Sequence, residues 1–189
     1  MRELAILTFM TLDGVMQAPT SPDEDRSGGF RGGWAAPHWE VVMEQVRREA
    51  MSVPYDLLLG RITYEMFAAS HRTSEMMRSA TKYVATSSSA PLEWENSVRI
   101  AGNIVAEVVR LKAQDGPLLQ VHGSWRLIQT LLAERLVDEL RLWTFPVIAG
   151  PGGKRLFGPS IPATCLTLTK SGAGSTGVAM SIYRRTNPS

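Results

Sequence analysis

PLLQVHGS, residues 117–124, is the stretch on which the reading of this chain turns. Leu118, Leu119 and Val121 read as a buried strand, and the strand runs into His122, Gly123 and Ser124. Leu127, Ile128, Leu131 and Leu132 then recur at helical spacing. A strand that turns into a helix through a glycine and a hydroxyl leaves the first helix amides and the positive dipole end available to a phosphate. The same Gly-Ser pair is also ordinary turn and N-cap chemistry. Taken alone, the stretch supports both readings.

The chain around it has 189 residues, which predicts one domain over residues 1–189 with one sizeable core. A hydrophobic content of 44% against 20% charged residues is globular rather than disordered composition. Twenty basic and 18 acidic side chains leave a formal charge of +2, so nothing points to a nucleic-acid partner held by phosphate neutralisation. Cys165 is the only cysteine, which excludes an intrachain disulfide and a cysteine-rich zinc site. It falls in TCLTLTK, residues 164–170, and is expected to be a small buried hydrophobe. No stretch reads as a leader or a membrane span, so the expectation is a soluble, cytoplasmic protein without a membrane partner.

Periodicity predicts strands over 4–10, 55–59, 82–86, 98–100, 117–121, within 137–147, over 164–170 and over 178–184. A helix over 38–51 is predicted from the apolar face of Trp39, Val42, Met43, Val46 and Ala50. A short helix is expected to begin at Thr63, and another near Asn103 with Val105, Val108 and Val109 on one side. A third is expected over 124–135. Residues 17–37, with Pro19, Pro22 and four glycines, read as a long mobile segment, either functional or a disordered insertion. Strand and helix alternate and strands alone follow. That order predicts an α/β fold of three layers, with helices on both faces of a mostly parallel sheet that an antiparallel C-terminal hairpin makes mixed.

Two further clusters carry chemistry. In LLLGRITYE, residues 57–65, a strand ends at Gly60, Arg61 supplies donors suited to phosphate oxygens, and Thr63 is placed either to cap the helix or to touch a ligand. With the 117–124 turn, this favours a dinucleotide. In PVIAGPGGKRLF, residues 146–157, Gly150, Gly152 and Gly153 allow close backbone approach, while Lys154 and Arg155 are either phosphate-attracting or simply solvated. The loop matches neither a Walker loop nor a GxGxxG fingerprint.

With TLDG at 11–14, YVATSS at 83–88 and VHGS at 121–124 in the same order, the chain resembles the dihydrofolate reductase-like fold family. It is most similar to the riboflavin-type branch, the C-terminal reductase domain of bifunctional deaminase-reductases and its free-standing relatives. The resemblance implies an eight-stranded mixed sheet with NADPH across the carboxyl ends of its strands. By position it gives Gly60, Arg61 and Thr63 to the pyrophosphate and adenosine-phosphate contacts, and Thr86, Ser87 and Ser88 to the adenine ribose and its 2′-phosphate. It gives Gly123 and Ser124 to the second pyrophosphate turn, and Ala149 and Gly150 to the wall near nicotinamide.

On the substrate side the resemblance asks for a carboxylate on the first long helix, where Glu44 falls by ungapped counting and Glu40 by closeness to the apolar face. Asp13 is a further candidate for orienting a polar ring, or else a plain Asp-Gly turn. The zinc-deaminase signature of the bifunctional enzymes is missing, and no metal is expected. The implied activity is NADPH-dependent reduction of a pyrimidine or pteridine-like heterocycle, resembling 5-amino-6-(5-phosphoribosylamino)uracil reductase. Arg26, Arg31 and Lys154 are unassigned candidates for a substrate phosphate. The opposing reading is a non-catalytic dinucleotide-binding or interaction protein that keeps the fold, and an enzyme that does not use NADPH is a third. A homodimer is expected, with Trp125, Leu142 and Trp143 as candidates for its face or for core packing.

Overall fold

The computed structural model describes residues 1–70 and 74–186. Its strands are β1 (Leu4–Thr11), β2 (Tyr55–Gly60), β3 (Lys82–Ala85), β4 (Ser97–Ile100), β5 (Leu118–His122), β6 (Glu139–Phe145), β7 (Leu166–Ala173) and β8 (Ala179–Arg185). Its helices are α1 (Trp39–Ala50), α2 (Arg61–Ala69), α3 (Glu75–Ser79), α4 (Ile104–Ala113) and α5 (Trp125–Ala133). The strands form an eight-stranded sheet in the order β4-β3-β2-β5-β1-β6-β8-β7. β4, β3, β2 and β5 pair in parallel, and β8 is antiparallel to both β6 and β7. This is the three-layer α/β architecture with a mixed, mostly parallel sheet and flanking helices that the element order predicts. Among the described residues no helix is long and apolar enough to cross a membrane.

The chain clusters into two compact units. The first comprises Met1–Ile6 and Val53–Asp138. Its central strands bury residues on both faces, with Leu57, Leu58, Leu59, Leu119 and Val121 fully buried, as strands covered on both sides must be. Two cations are sunk into this unit. Arg2 pairs with Asp56, donates through Nε to the Pro117 carbonyl at 2.8 Å, and lies over the Tyr83 ring. Lys82 donates to the carbonyls of Arg78 and Glu95 with its ammonium 4.4 Å from the Trp94 ring centre, and burial pushes its pKa down.

The second unit comprises Leu7–Ser52 and Glu139–Ser189. Val42, Val46 and Ala50 of α1 pack with Trp143, Phe145, Val178 and Met180, and the Trp143 indole donates to Gln45 Oε1 at 3.1 Å. Leu142 and Trp143 are therefore core residues and are withdrawn from any dimer face.

Three other expectations are corrected. On α4 the buried residues are Val108 and Leu111, while Val109 is half exposed; a helix face repeats every three to four residues, so adjacent valines cannot share it. Cys165 is exposed and precedes β7, whose residues are all exposed because it is the last strand in the sheet.

Residues 17–37 are pinned rather than loose. The buried Gln17 amide donates to the carbonyls of Asp25 and Ser27, and its Oε1 accepts from the Lys154 amide. The Trp34 indole and the Gly33 and Ala35 amides donate to the carbonyls of Gln17, Ala18 and Pro19 respectively. A side chain at Gly32 would run into the Ala18 carbonyl, so the glycine lets the two arms of the segment touch. Proline and glycine content reads as flexibility only until the partners of the backbone are known.

Candidate functional site

In the first unit the parallel register brings the carboxyl ends of four strands together, because Gly60 pairs with Ala85, Ala85 with Ile100, and Leu58 with Val121. This is the edge at which open α/β sheets bind ligands. The predicted turns Gly60–Thr63, Thr86–Ser88 and Gly123–Ser124 all follow these strand ends.

Two of the turns are cross-linked. The Gly60 amide donates to Ser124 Oγ at 2.8 Å, and the Ser124 amide donates to Thr63 Oγ1 at 3.0 Å. Helix α2 starts at Arg61, two residues before the predicted start, so Thr63 lies inside its first turn rather than at its cap. Ser124 is the N-cap residue of α5, yet its hydroxyl does not cap that helix. Each hydroxyl is instead spent on the other turn, which sets two helix N-termini side by side.

Gly123 and Ser124 both adopt left-handed backbone, with φ of +53° and +56°. For serine this costs on the order of 1–2 kcal/mol, offset by its bond to Gly60. A Cβ at Gly123 would stand 3.2 Å from both Thr63 Oγ1 and Cγ2, so the clasp needs a glycine there. Paired helix N-termini, glycine at the closest approach and an adjacent guanidinium form a donor set that fits a pyrophosphate. The cap reading of the 117–124 turn is not met, because Ser124 Oγ accepts from Gly60 rather than from its own helix.

Arg61 donates through Nε to Glu65 Oε1 at 2.5 Å and through Nη1 to the Ala90 carbonyl at 3.2 Å. Thr86 Oγ1 accepts from the Ser88 amide at 3.1 Å, and Ser88 Oγ from the Ala90 amide at 3.2 Å. Ser87 is exposed in the same loop. Sequence reasoning missed Arg99 of β4, which donates to the carbonyls of Ser88, Ser89 and Ala90. A lone arginine in a short strand carries no local signal of function, and only its register beside Val84 brings it to the serine loop.

The second unit holds the other predicted residues. Asp13 Oδ1 accepts from the Thr11 hydroxyl at 2.6 Å and the Ala149 amide at 3.0 Å, and Oδ2 from the Gly150 amide at 3.1 Å. Arg155 adds its guanidinium at 3.4 Å. The Thr11 hydroxyl first, then the backbone amides, pull the Asp13 carboxyl down to about 2. It is therefore an anion that fastens the glycine loop.

Gly150, Gly152 and Gly153 all have positive φ, and a Cβ at Gly153 would press on Val15 and Phe30. Lys154 is bound to Asp25 at 2.5 Å and Arg26 to Asp23, while Arg31 lines an open depression with Phe30, Ala149 and Gly152. Glu40 and Glu44 are exposed on α1. Among the described residues no cluster of His, Cys, Asp and Glu could hold a metal ion.

Burial raises the Asp25 carboxyl, but the Lys154 ammonium and the Ser27 hydroxyl and amide outweigh it and bring it to about 2. A carboxyl lowered on folding stabilises the protein above its unfolded pKa, and the gain is lost as pH falls through the folded value. Asp25→Asn is accordingly expected to lower the urea midpoint at pH 6, with the gap to wild type closing between about pH 4 and pH 2. A gap independent of pH would mean that Asp25 does not act as a paired anion.

An α/β sheet with this strand order and these flanking helices has the dihydrofolate reductase-like fold. The model of the RibD C-terminal domain matches residues 2–180, and the chain belongs to that family. Uncharacterized protein YyaP of Bacillus subtilis is 31% identical over 109 residues, which are 58% of this chain and 57% of that protein. The chain thus aligns with little more than half of that relative's length.

Solved structures show the same fold at low identity. A protein of Shewanella sp. PV-4 named for riboflavin biosynthesis superposes with a TM-score of 0.68 at 20% identity, covering 99% of this chain and 100% of that one. Dihydrofolate reductase of Enterococcus faecalis, complexed with NADP(H) and RAB-propyl, superposes with a TM-score of 0.65 at 16% identity, covering 98% and 97%. A pyrimidine reductase-like protein of Corynebacterium diphtheriae gives 0.65 at 11% identity, covering 99% and 93%.

Proposed function

We propose that this chain is an NADPH-dependent reductase of a pyrimidine or pteridine-like heterocycle, of the kind represented by 5-amino-6-(5-phosphoribosylamino)uracil reductase, with residues 1–189 acting as one reductase domain. The observation that carries the reading is the clasp of Gly60, Thr63 and Ser124 at the parallel strand ends, beside Arg61. Gly60, Thr63, Gly123 and Ser124 form the clasp that sets the N-terminal ends of α2 and α5 side by side as the pyrophosphate seat. Arg61 supplies charge, and Thr86, Ser87 and Ser88 offer hydroxyls to the adenosine end. Ala149 and Gly150, with Asp13 holding their amides, form the wall proposed for the nicotinamide end.

NADPH, when bound, supplies the hydride, and the protein contributes placement and exclusion of water. Glu40 and Glu44 remain the candidates for a substrate contact. The homodimer rests on the family resemblance alone.

Titration calorimetry with NADPH and NADH tests the reading. Arg61 must leave its ion pair with Glu65, whose own side chain is half exposed, at a cost of about 0–1 kcal/mol, for charge-assisted bonds worth about 1.5–3 kcal/mol. Wild type is expected to prefer NADPH, and Arg61→Ala to weaken NADPH roughly 10- to 100-fold. No binding of either cofactor would sink the proposal. Cofactor oxidation in the presence of dihydrofolate or a ribosylaminopyrimidine phosphate, repeated with Glu40→Gln and Glu44→Gln, then separates the substrate branches.

One observation favours a second reading, a dinucleotide-binding protein without turnover. Both Asp13 oxygens are engaged and Glu40 and Glu44 are exposed, so none of these three candidate carboxylates is buried and held ready for a substrate ring. NADPH binding without oxidation of the cofactor by any such heterocycle would decide for it.

A further inference from the structure

Arg99 gives the serine loop a property that the clasp does not explain. Its guanidinium spreads over three successive carbonyls, with Nη1 on Ser88 and Nη2 on Ser89 at 3.3 Å and Ala90 at 2.6 Å. The Ala90 carbonyl also accepts from Arg61 Nη1 at 3.2 Å, so two guanidinium groups meet on one oxygen. Like charges held together in this way repel. Among the described residues no carboxylate pairs with Arg99, and Glu65, on Arg61, is the one acidic partner of the pair.

The loop beside them presents the hydroxyls of Thr86 and Ser88, each accepting a backbone amide and each keeping its own O–H to donate. Excess positive charge, a guanidinium on Arg61 that can change partners and two hydroxyls on one loop suit a doubly charged phosphomonoester, which accepts many donors at once.

We infer that Arg99 is the positioning residue of the subsite for the 2′-phosphate of the cofactor, and so sets the preference for NADPH over NADH. The inference rests on the proposed function. Arg99 holds the Ser88–Ala90 carbonyls in one arrangement, which keeps the Ser88 hydroxyl and Arg61 aimed at the same place. Arg61 can then exchange the Ala90 carbonyl for phosphate oxygens while Arg99 keeps the loop in shape. A lysine carries the same charge on one compact ammonium and lacks the planar fork whose two terminal nitrogens reach the Ser88 carbonyl and those of Ser89 and Ala90 separately.

Affinities for NADPH, NADH, adenosine 2′-monophosphate and adenosine 5′-monophosphate, measured by calorimetry on wild type, Arg99→Ala and Arg99→Lys, test this. Thermal melts confirm that each variant is folded. Arg99→Ala is expected to weaken NADPH and adenosine 2′-monophosphate about tenfold, the scale of one charge-assisted hydrogen bond, and to leave the other two ligands within about twofold. Arg99→Lys is expected to fall nearer to alanine than to wild type.

An unchanged NADPH to NADH ratio in Arg99→Ala overturns the inference while leaving the reductase reading intact. Equal weakening of both dinucleotides also overturns it, since that marks a merely structural role. Full rescue by lysine overturns the positioning role. Failure of wild type to bind either dinucleotide overturns the functional reading and this inference with it.

Discussion

Replacing Arg2 with alanine is expected to lower the unfolding free energy by about 3–5 kcal/mol, the largest stability loss among the changes considered. Arg2 is 5% exposed and Asp56 8%, and they face each other with almost no water available to either. The second Asp56 oxygen accepts from the Thr81 amide at 3.0 Å, so the carboxylate stays anchored when its cation is removed. Removing Arg2 also orphans the Pro117 carbonyl. A lone buried carboxylate costs far more than the pair itself contributes, because two desolvated ions gain little over two dissolved ones. Urea unfolding of Arg2→Ala, Asp56→Ala and the double variant tests the argument: the double should be less damaging than the sum of the singles by at least about 1 kcal/mol. Simple additivity would show that the pair does not act as a unit.

Gly123→Val is expected to weaken NADPH more than about tenfold and to destabilise the fold by about 2–4 kcal/mol. Two costs combine. A β-branched residue at φ +53° is strained, and its Cβ stands against Thr63, the acceptor for the Ser124 amide. Gly177→Val separates the two costs, since Gly177 has φ +80° but only an ordinary contact with Pro146 at 3.7 Å. If the clasp positions the cofactor, Gly177→Val loses stability and keeps NADPH affinity, whereas Gly123→Val loses both. Equal NADPH affinity in both variants would show that the geometry of the clasp is irrelevant to binding.

How much of this was readable follows from the range of the forces involved. The strand over 117–121 and the helix after Ser124 appear as β5 and α5, because alternation and helical spacing are local patterns. The antiparallel hairpin of β7 and β8 was legible for the same reason, whereas the pairing of β8 with β6 was not. Thr63 was misplaced because a hydroxyl near a helix start looks like a cap, and its true partner lies 61 residues away. Residues 17–37 looked loose because their composition says nothing about the Gln17 amide that gathers them. Arg99 drew no notice, since an arginine in a four-residue strand has no local mark of function.

By itself, then, the sequence determined the order of the strands and of every α-helix but the short α3, and the residue types that wait at each strand end. Hydrophobic periodicity and turn chemistry act over a few residues and are written in the chain. Tertiary structure alone decided the partner of each polar group: Ser124 for Gly60, the glycine loop for Asp13, the serine loop for Arg99. Hydrogen bonds and ion pairs reach about 3 Å whatever the separation along the chain, so only the packed sheet and its register could assign them.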